Sequence, residues 1–210
     1  MKIQKSRNSR QPAKDYSSVC HQQGRMLTDS DLTEQSLLSR DRLNQALKDV
    51  IGSGTPRHAA LLQVTEAGDA RIPTLHWGRL YVDGVSAEVR PDEDAPDADQ
   101  FDYAHQLYYP QAPDLPAAAY RLYADVWERS VIWLEDEMLR DPGLHGADTT
   151  TRTQTMAQVK WCDAEIDPIC PDENPPIGDA RLRLLLRSLA TSADPCDPCA
   201  DELELNDPVG

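Results

Sequence analysis

The sequence predicts a mainly β protein of the α+β class. An extended N-terminal arm and one amphipathic helix precede an antiparallel β-sandwich or barrel-like sheet with long loops. Apolar residues recur at helical spacing only as far as Gly52. Beyond it, short apolar runs rich in β-branched and aromatic residues alternate with loops that contain proline and glycine. We therefore divide the 210 residues into an arm (1–28), a helix (29–52) and a β-rich domain (53–210).

The arm is predicted because residues 1–28 are polar and show no periodicity. Its basic character contrasts with the formal net charge of -15 of the whole chain, and a basic segment on an acidic body favours docking on an acidic surface, such as that of a neighbouring copy. A solvated tail is the alternative. Gly24 would permit a turn within the arm. The candidate partner-binding residues are Lys2, Lys5, Arg7, Arg10, Lys14, Gln22, Gln23, Gly24 and Arg25.

The helix has the clearest signals in the sequence. Asp29, Ser30 or Asp31 can cap its N-terminus, with Glu34 near the position that completes a capping box. Gly52 ends it. An apolar stripe is predicted to face the core or a partner, and it consists of Leu37, Leu38, Leu43, Leu47, Val50 and Ile51.

Strands are predicted from residue 58 onward. Asp83-Gly84 between two alternating apolar runs indicates a hairpin. Residues 120–134 are the most apolar part, and we expect two strands there with a turn at Glu128-Arg129. Residues 138–154 read as a loop, residues 155–162 as a short strand, and the leucine alternation at 182–186 favours a further strand.

Composition excludes several classes of function. A chain with this net negative charge is poorly suited to binding nucleic acid or anionic membranes. No signal peptide and no apolar run of membrane-spanning length, about 18 residues, is present. Five cysteines leave at least one unpaired within the chain, and reduced thiols fit synthesis and assembly in the cytoplasm. The C-terminus carries no stop signal, so we expect a longer protein to continue beyond it.

One cluster of cysteines is a candidate metal site. Cys196 and Cys199 form a C-x-x-C pair, which Cys162 and Cys170 could complete to a closed four-thiolate zinc site. Such a clip would order a region that has many prolines and few apolar residues. A disulfide and plain reduced thiols are the alternatives, and no other cofactor is indicated.

No catalytic motif is present. The sequence lacks H-E-x-x-H, G-x-S-x-G, P-loop and G-x-G-x-x-G patterns, so we predict a protein that is not an enzyme. A receptor- or carbohydrate-binding module is an alternative, and a cargo effector enzyme is a further one. Most aromatic residues are expected in the core, but some could provide stacking surfaces, namely Trp77, Tyr81, Tyr108, Tyr109, Trp127 and Trp133.

Three stretches resemble a largely uncharacterised bacterial family found with phage-tail-like contractile injection systems. They are residues 13–35 with the QQGR segment, 78–84 (GRLYVDG), and 122–160 with the VWER and DTTTRTQ segments. Leu32 and Thr33 depart from the tryptophan and asparagine usual in that family. The resemblance implies a structural role as a baseplate, spike-associated or tail-fibre attachment piece. It transfers no catalytic residue, and analogy with axial tail parts favours a trimer. The protein would be extracellular if the particle is released.

Overall fold

The fold is known from a computed structural model, which describes residues 6–56, 62–67, 70–95, 99–165 and 182–186. Only the backbone is described for residues 63–67 and 70–72. The predicted class is confirmed, because antiparallel strands predominate and the described residues contain one α-helix. The described strands form no closed barrel.

The chain divides into two compact units. The arm–helix unit contains the described residues 6–52, 83–85 and 128–154. The sheet unit contains the other described residues. Because three separate segments build the arm–helix unit, the chain passes between the units repeatedly.

Helix α1, Asp29–Val50, confirms the predicted helix. Its cap differs from the expectation, because the N-cap is Thr28, whose side chain accepts a hydrogen bond from the backbone N–H of Asp31 at 3.3 Å. Thr28 has extended backbone angles, as an N-cap residue requires, whereas Asp29 is already helical. The arm before α1 lacks regular structure in the described residues 6–28, except for a short 3-10 helix at Pro12–Lys14 and a turn at 22–25.

Two three-stranded sheets form most of the sheet unit. In the first, β2 (Ala70–His76) pairs in antiparallel fashion with β1 (Leu62–Ala67) and with β5 (Gln100–Asp102). In the second, β6 (Tyr120–Val131) lies between β9 (Arg152–Asp163) and β10 (Leu182–Leu186). The predicted strand at 182–186 is therefore confirmed.

The hairpin predicted at Asp83-Gly84 is confirmed by β3 (Gly78–Val82) and β4 (Val85–Val89). Leu80 and Val82 are buried on β3, as are Ala87 and Val89 on β4. Asp83 and Gly84 both have positive φ angles, 49° and 82°, which the tight two-residue connection requires.

One prediction for residues 120–134 is wrong. No turn occurs at Glu128-Arg129, because β6 continues without a break to Val131. Charged residues are compatible with a strand where their side chains reach water, and both of these are exposed. The predicted loop at 138–154 contains the two-residue strands β7 (Arg140–Asp141) and β8 (Ala147–Asp148), and β9 begins at its end.

Nearly all of the described apolar core belongs to the sheet unit. Leu75, Leu80, Leu122, Val126 and Val159 are fully inaccessible to solvent there. Of the eighteen described apolar residues that are buried, only Leu38 and Val131 belong to the arm–helix unit. Since apolar burial is the main favourable term in folding, the sheet unit carries most of the stability that the described residues supply.

Candidate partner-binding surface

The arm follows helix α1 through specific polar contacts. The Ser6 hydroxyl donates to Asp29 Oδ1 at 2.9 Å, and the backbone N–H of Val19 donates to Gln35 Oε1 at 2.7 Å. Arg10 forms a salt bridge with Asp41 near the middle of α1. The Ser6 hydrogen bond is the main reason why the pKa of Asp29 lies below its ordinary value of 3.8. The arm is thus attached to its own helix at several points.

The candidate residues of the arm differ in how they are used. Arg10 is paired within its own chain, and Lys14 lies 5.9 Å from the centre of the Tyr16 ring. Arg7 is exposed, and Lys2 and Lys5 lie outside the described residues. The acidic group that Arg10 contacts, Asp41, belongs to the same chain.

The segment Gln22 to Arg25 forms an exposed turn. The backbone N–H of Arg25 donates to the carbonyl oxygen of Gln22 at 3.2 Å, and Gly24 has a φ of 71°. This confirms the turn that the glycine predicts. Gln22 and Arg25 border a depression of about 460 Å3, whose other lining residues are Val19, Cys20, His21, Met26, Leu27 and Asp31. Of the predicted QQGR candidates, the structure therefore places Gln22 and Arg25 at one open, partly apolar surface.

Large apolar side chains that stay in water are concentrated in the arm–helix unit. Twelve such side chains are exposed among the described residues, and only Trp77 and Leu107 belong to the sheet unit. The most exposed on the arm is Met26, at 88%. The ten in the arm–helix unit are Tyr16, Met26, Leu27, Leu32, Leu43, Val50, Ile51, Leu134, Met138 and Leu144.

Met26 and Leu27 were not predicted as candidates from the sequence. A signal for Leu27 exists, because it directly precedes the N-cap and Leu32 follows at the fourth helical position, which are the two positions of a hydrophobic staple. Leu27 and Leu32 are nevertheless about half exposed. Local sequence identifies such a pair, but it does not indicate whether the rest of the chain covers it.

The other end of α1 is fixed by charges and by close backbone contact. Arg40 Nη1 lies 3.2 Å from a carboxylate oxygen of Glu128, and Lys48 Nζ lies 3.7 Å from Asp83 Oδ1. Gly84 packs so closely that a Cβ atom there would lie 2.8 Å from the backbone nitrogen of Lys48. One face of the helix is therefore held by the arm, residue 128 and the hairpin tip.

The predicted aromatic surface is not assembled as an open platform by the described residues. Trp77 is half exposed, with the Arg90 guanidinium 5.6 Å from its ring centre. The other five aromatic candidates are partly buried. Tyr109 and Trp127 flank the ammonium group of Lys160 at 5.8 and 5.7 Å, which makes them part of an internal charge site.

That internal site is built around Asp125, which is 1% exposed. Lys160 Nζ lies 2.6 Å from Asp125 Oδ2 on the neighbouring strand. Close by, the Gln106 side chain donates to the Val159 carbonyl at 3.0 Å and accepts from the Val159 N–H at 2.7 Å. These contacts satisfy buried polar groups and fix the 103–109 loop to β9, which is a structural role.

The candidate zinc site cannot be assembled from the described residues. Cys162 is half-buried near the end of β9, and Cys170, Cys196 and Cys199 lie outside the described residues. Within the described ranges, no group of three or more histidine, cysteine or acidic side chains is placed to hold a metal. Zinc therefore stays a prediction, which metal analysis of the purified protein would test.

Comparison with known proteins gives a family match. Residues 1–205 match the model of a family described as a family of unknown function (DUF6519). No curated protein and no solved structure matches the chain. In the described part of the chain, no helix combines the length and apolar character needed to cross a membrane.

Proposed function

We propose that this chain, which belongs to the DUF6519 family of unknown function, is a structural adaptor of a phage-tail-like contractile injection particle. It would act without catalysis, as a baseplate, spike-associated or fibre-attachment component. Its partners would be other protein subunits of the particle. The chain would be made and assembled in the cytoplasm, and it would be extracellular if the particle is released.

The observation that carries the proposal is the unequal distribution of apolar side chains. The arm–helix unit buries two apolar residues among those described and exposes ten large ones. Extended apolar surface on a soluble protein marks a site of interaction, because leaving it in water costs free energy that contact with a partner recovers. A unit with this composition is suited to folding against a neighbouring subunit.

The sheet unit fits the second requirement of an adaptor, which is a stable body. Its core contains sixteen of the eighteen buried apolar residues that are described, and it includes an internal ion pair between Lys160 and Asp125. The choice of particle has a different basis. It depends on the resemblance of the QQGR, VWER and DTTTRTQ segments, so a different particle could use the same surface.

Self-association belongs to the proposal as well. Repeated structural components of particles are symmetric, and analogy with axial tail parts favours three copies. The molar mass of the purified chain in solution tests this part directly, independently of the identity of the other partners.

The arm provides the main test. Deleting residues 1–28 should reduce incorporation into particles assembled in the producing cell, while the sheet unit keeps its fold. Replacing exposed Met26 by glutamate should reduce incorporation too, since a charge would then be buried in the contact. Ser17→Glu is the matched control, because it adds the same charge at another exposed position of the arm.

Far-UV circular dichroism of the three variants would show whether the strands persist. Incorporation of Met26→Glu at the level of Ser17→Glu, together with normal incorporation of the truncated chain, would exclude the arm as an attachment segment.

A further inference from the structure

Helix α1 has one face that no part of the described chain covers. Its residues are spaced alternately by four and three positions, and all six are exposed and uncharged. They are Leu32, Ser36, Ser39, Leu43, Ala46 and Val50. Leu32, Leu43 and Val50 are 50%, 59% and 84% exposed. We name this face the α1 seam.

Most contacts that the chain itself makes with α1 lie on the other side of the helix, whereas Gln35, which accepts from the Val19 N–H, lies at one edge of the seam. Ser30 and Leu38 are buried, and Asp41 is paired with Arg10, at positions about half a turn away from the seam. The predicted stripe of Leu37, Leu38, Leu43, Leu47, Val50 and Ile51 is thereby divided. Leu38 is buried, whereas Leu43, Val50 and Ile51 are exposed.

A spacing of four and three residues selects the kind of partner. Apolar positions that repeat every 3.5 residues on average keep facing a second helix that winds around the first. A flat sheet surface would not match this repeat along three turns. The seam is thus suited to another helix with the same spacing, and α1 of a second copy has it by definition.

Charged residues beside the seam determine whether the two helices pair in parallel or antiparallel fashion. Arg42 and Asp49 are both exposed and lie along the same edge of the seam, seven residues apart. In an antiparallel pair, the same edge of each helix meets its counterpart. Arg42 then faces Asp49 of the second copy, and Asp49 faces Arg42, so two ion pairs form by symmetry. A parallel pair would place Arg42 opposite Leu47 and form neither.

The same alignment also matches residue sizes. Where Arg42 faces Asp49, Leu43 faces Ala46 and Ser39 faces Val50, and each contact occurs twice about the two-fold axis. Every layer thus combines a large side chain with a small one, which allows facing side chains to interdigitate. Shifting one helix by a full heptad would place Arg42 against Arg42, which is repulsive.

We propose that the α1 seam binds the α1 seam of a second copy of this chain, antiparallel and about a two-fold axis through the Leu43–Ala46 region. The inference deepens the proposed function, on which it rests for the expectation that several copies lie close together. Four layers of contact are fewer than permanent dimers use. The pairing is therefore weak and depends on concentration, and a threefold assembly would need another face.

Sedimentation equilibrium of the full-length chain over a range of concentrations tests the pairing. Arg42→Asp should weaken dimerisation at least tenfold, because both symmetric ion pairs become repulsive. Asp49→Arg should do the same. The double variant R42D/D49R restores opposite charges at both places and should return the dissociation constant to within about threefold of the starting chain. Leu43→Glu should abolish the dimer.

All substituted positions are exposed on α1, so circular dichroism should show an unchanged helix. A weak dimer would be populated at about 100 μM, so a chain that stays monomeric at this concentration would overturn the inference. Failure of R42D/D49R to restore pairing would overturn it too, and so would a trimer that none of the variants affects. None of these results bears on particle incorporation, which the arm variants decide separately.

Discussion

Gly84 occupies a position that no other residue can take without displacement of the helix. Its φ is 82°, and a Cβ atom would collide with the backbone of α1 at Asn44 and Lys48. We expect Gly84→Ala to lower the free energy of unfolding by roughly 3 kcal/mol, because left-handed strain and the clash add together. Urea denaturation followed by circular dichroism would measure the loss.

Gly146 provides the matched control for Gly84. Its φ of 79° is nearly the same, but nothing lies within 4 Å of the place where its Cβ would be. Gly146→Ala should cost only about 1 kcal/mol, since strain of the backbone is then the only penalty. Equal losses in the two variants would show that the close approach to α1 contributes nothing.

The Lys160–Asp125 ion pair is the second residue-scale feature with a large expected effect. Replacing Lys160 by methionine removes the cation that faces a carboxylate with 1% exposure. Breaking a buried pair from one side typically costs about 3–5 kcal/mol, and we expect a loss of this size in urea denaturation.

Arg79 and Glu88 form the comparison for that pair. They lie 3.5 Å apart, but the Arg79 side chain is more than half exposed. Arg79→Met should therefore lower the free energy of unfolding much less than Lys160→Met does, because water screens an exposed ion pair. If Lys160→Met were no more harmful than this, Asp125 would not depend on its lysine.

At the scale of elements, the arm and α1 behave as one piece because polar contacts join them along several turns. Asp29 reports on this attachment. Its pKa is lowered chiefly by the hydrogen bond from the Ser6 hydroxyl, so docking of the arm stabilises the fold above the ordinary pKa of 3.8. This contribution is lost as the pH falls through the lowered pKa of the folded state.

Ser6→Ala should raise the pKa of Asp29 toward 3.8, because the hydrogen bond that favours its charged form disappears. An NMR titration of the Asp29 carboxyl carbon measures this shift. Ser9→Ala is the control, since the Ser9 hydroxyl contacts the carbonyl oxygen of Ser30 and not Asp29. An unchanged pKa in Ser6→Ala would show that the arm leaves the helix in solution.

Elements were predicted where local chemistry determines them. The C-terminal end of α1 follows from Gly52, whereas its N-cap is Thr28 and none of the predicted residues, and the β3–β4 hairpin follows from Asp83-Gly84. The turn expected at Glu128-Arg129 was wrong, because two charged residues interrupt an apolar run without interrupting a strand. Their exposure, which tertiary structure determines, removes the need for a turn there.

For the whole molecule, the sequence predicts which apolar residues share a face, but not which of them are buried. The stripe on α1 reads as a core-facing surface, yet Leu43 and Val50 remain in water while Leu38 is buried. Periodicity shows that such residues share a face. It does not show whether the same chain or another molecule covers that face, and the candidate surface depends on this distinction.

Ten large apolar side chains in water also affect how free copies behave before they meet a partner. Each chain carries a formal charge of -15, and like-charged molecules repel one another over a Debye length of about 8 Å in physiological salt. This repulsion opposes aggregation of free copies despite their exposed apolar side chains. In the proposed particle, assembly would begin where a growing scaffold brings enough copies together to overcome this repulsion.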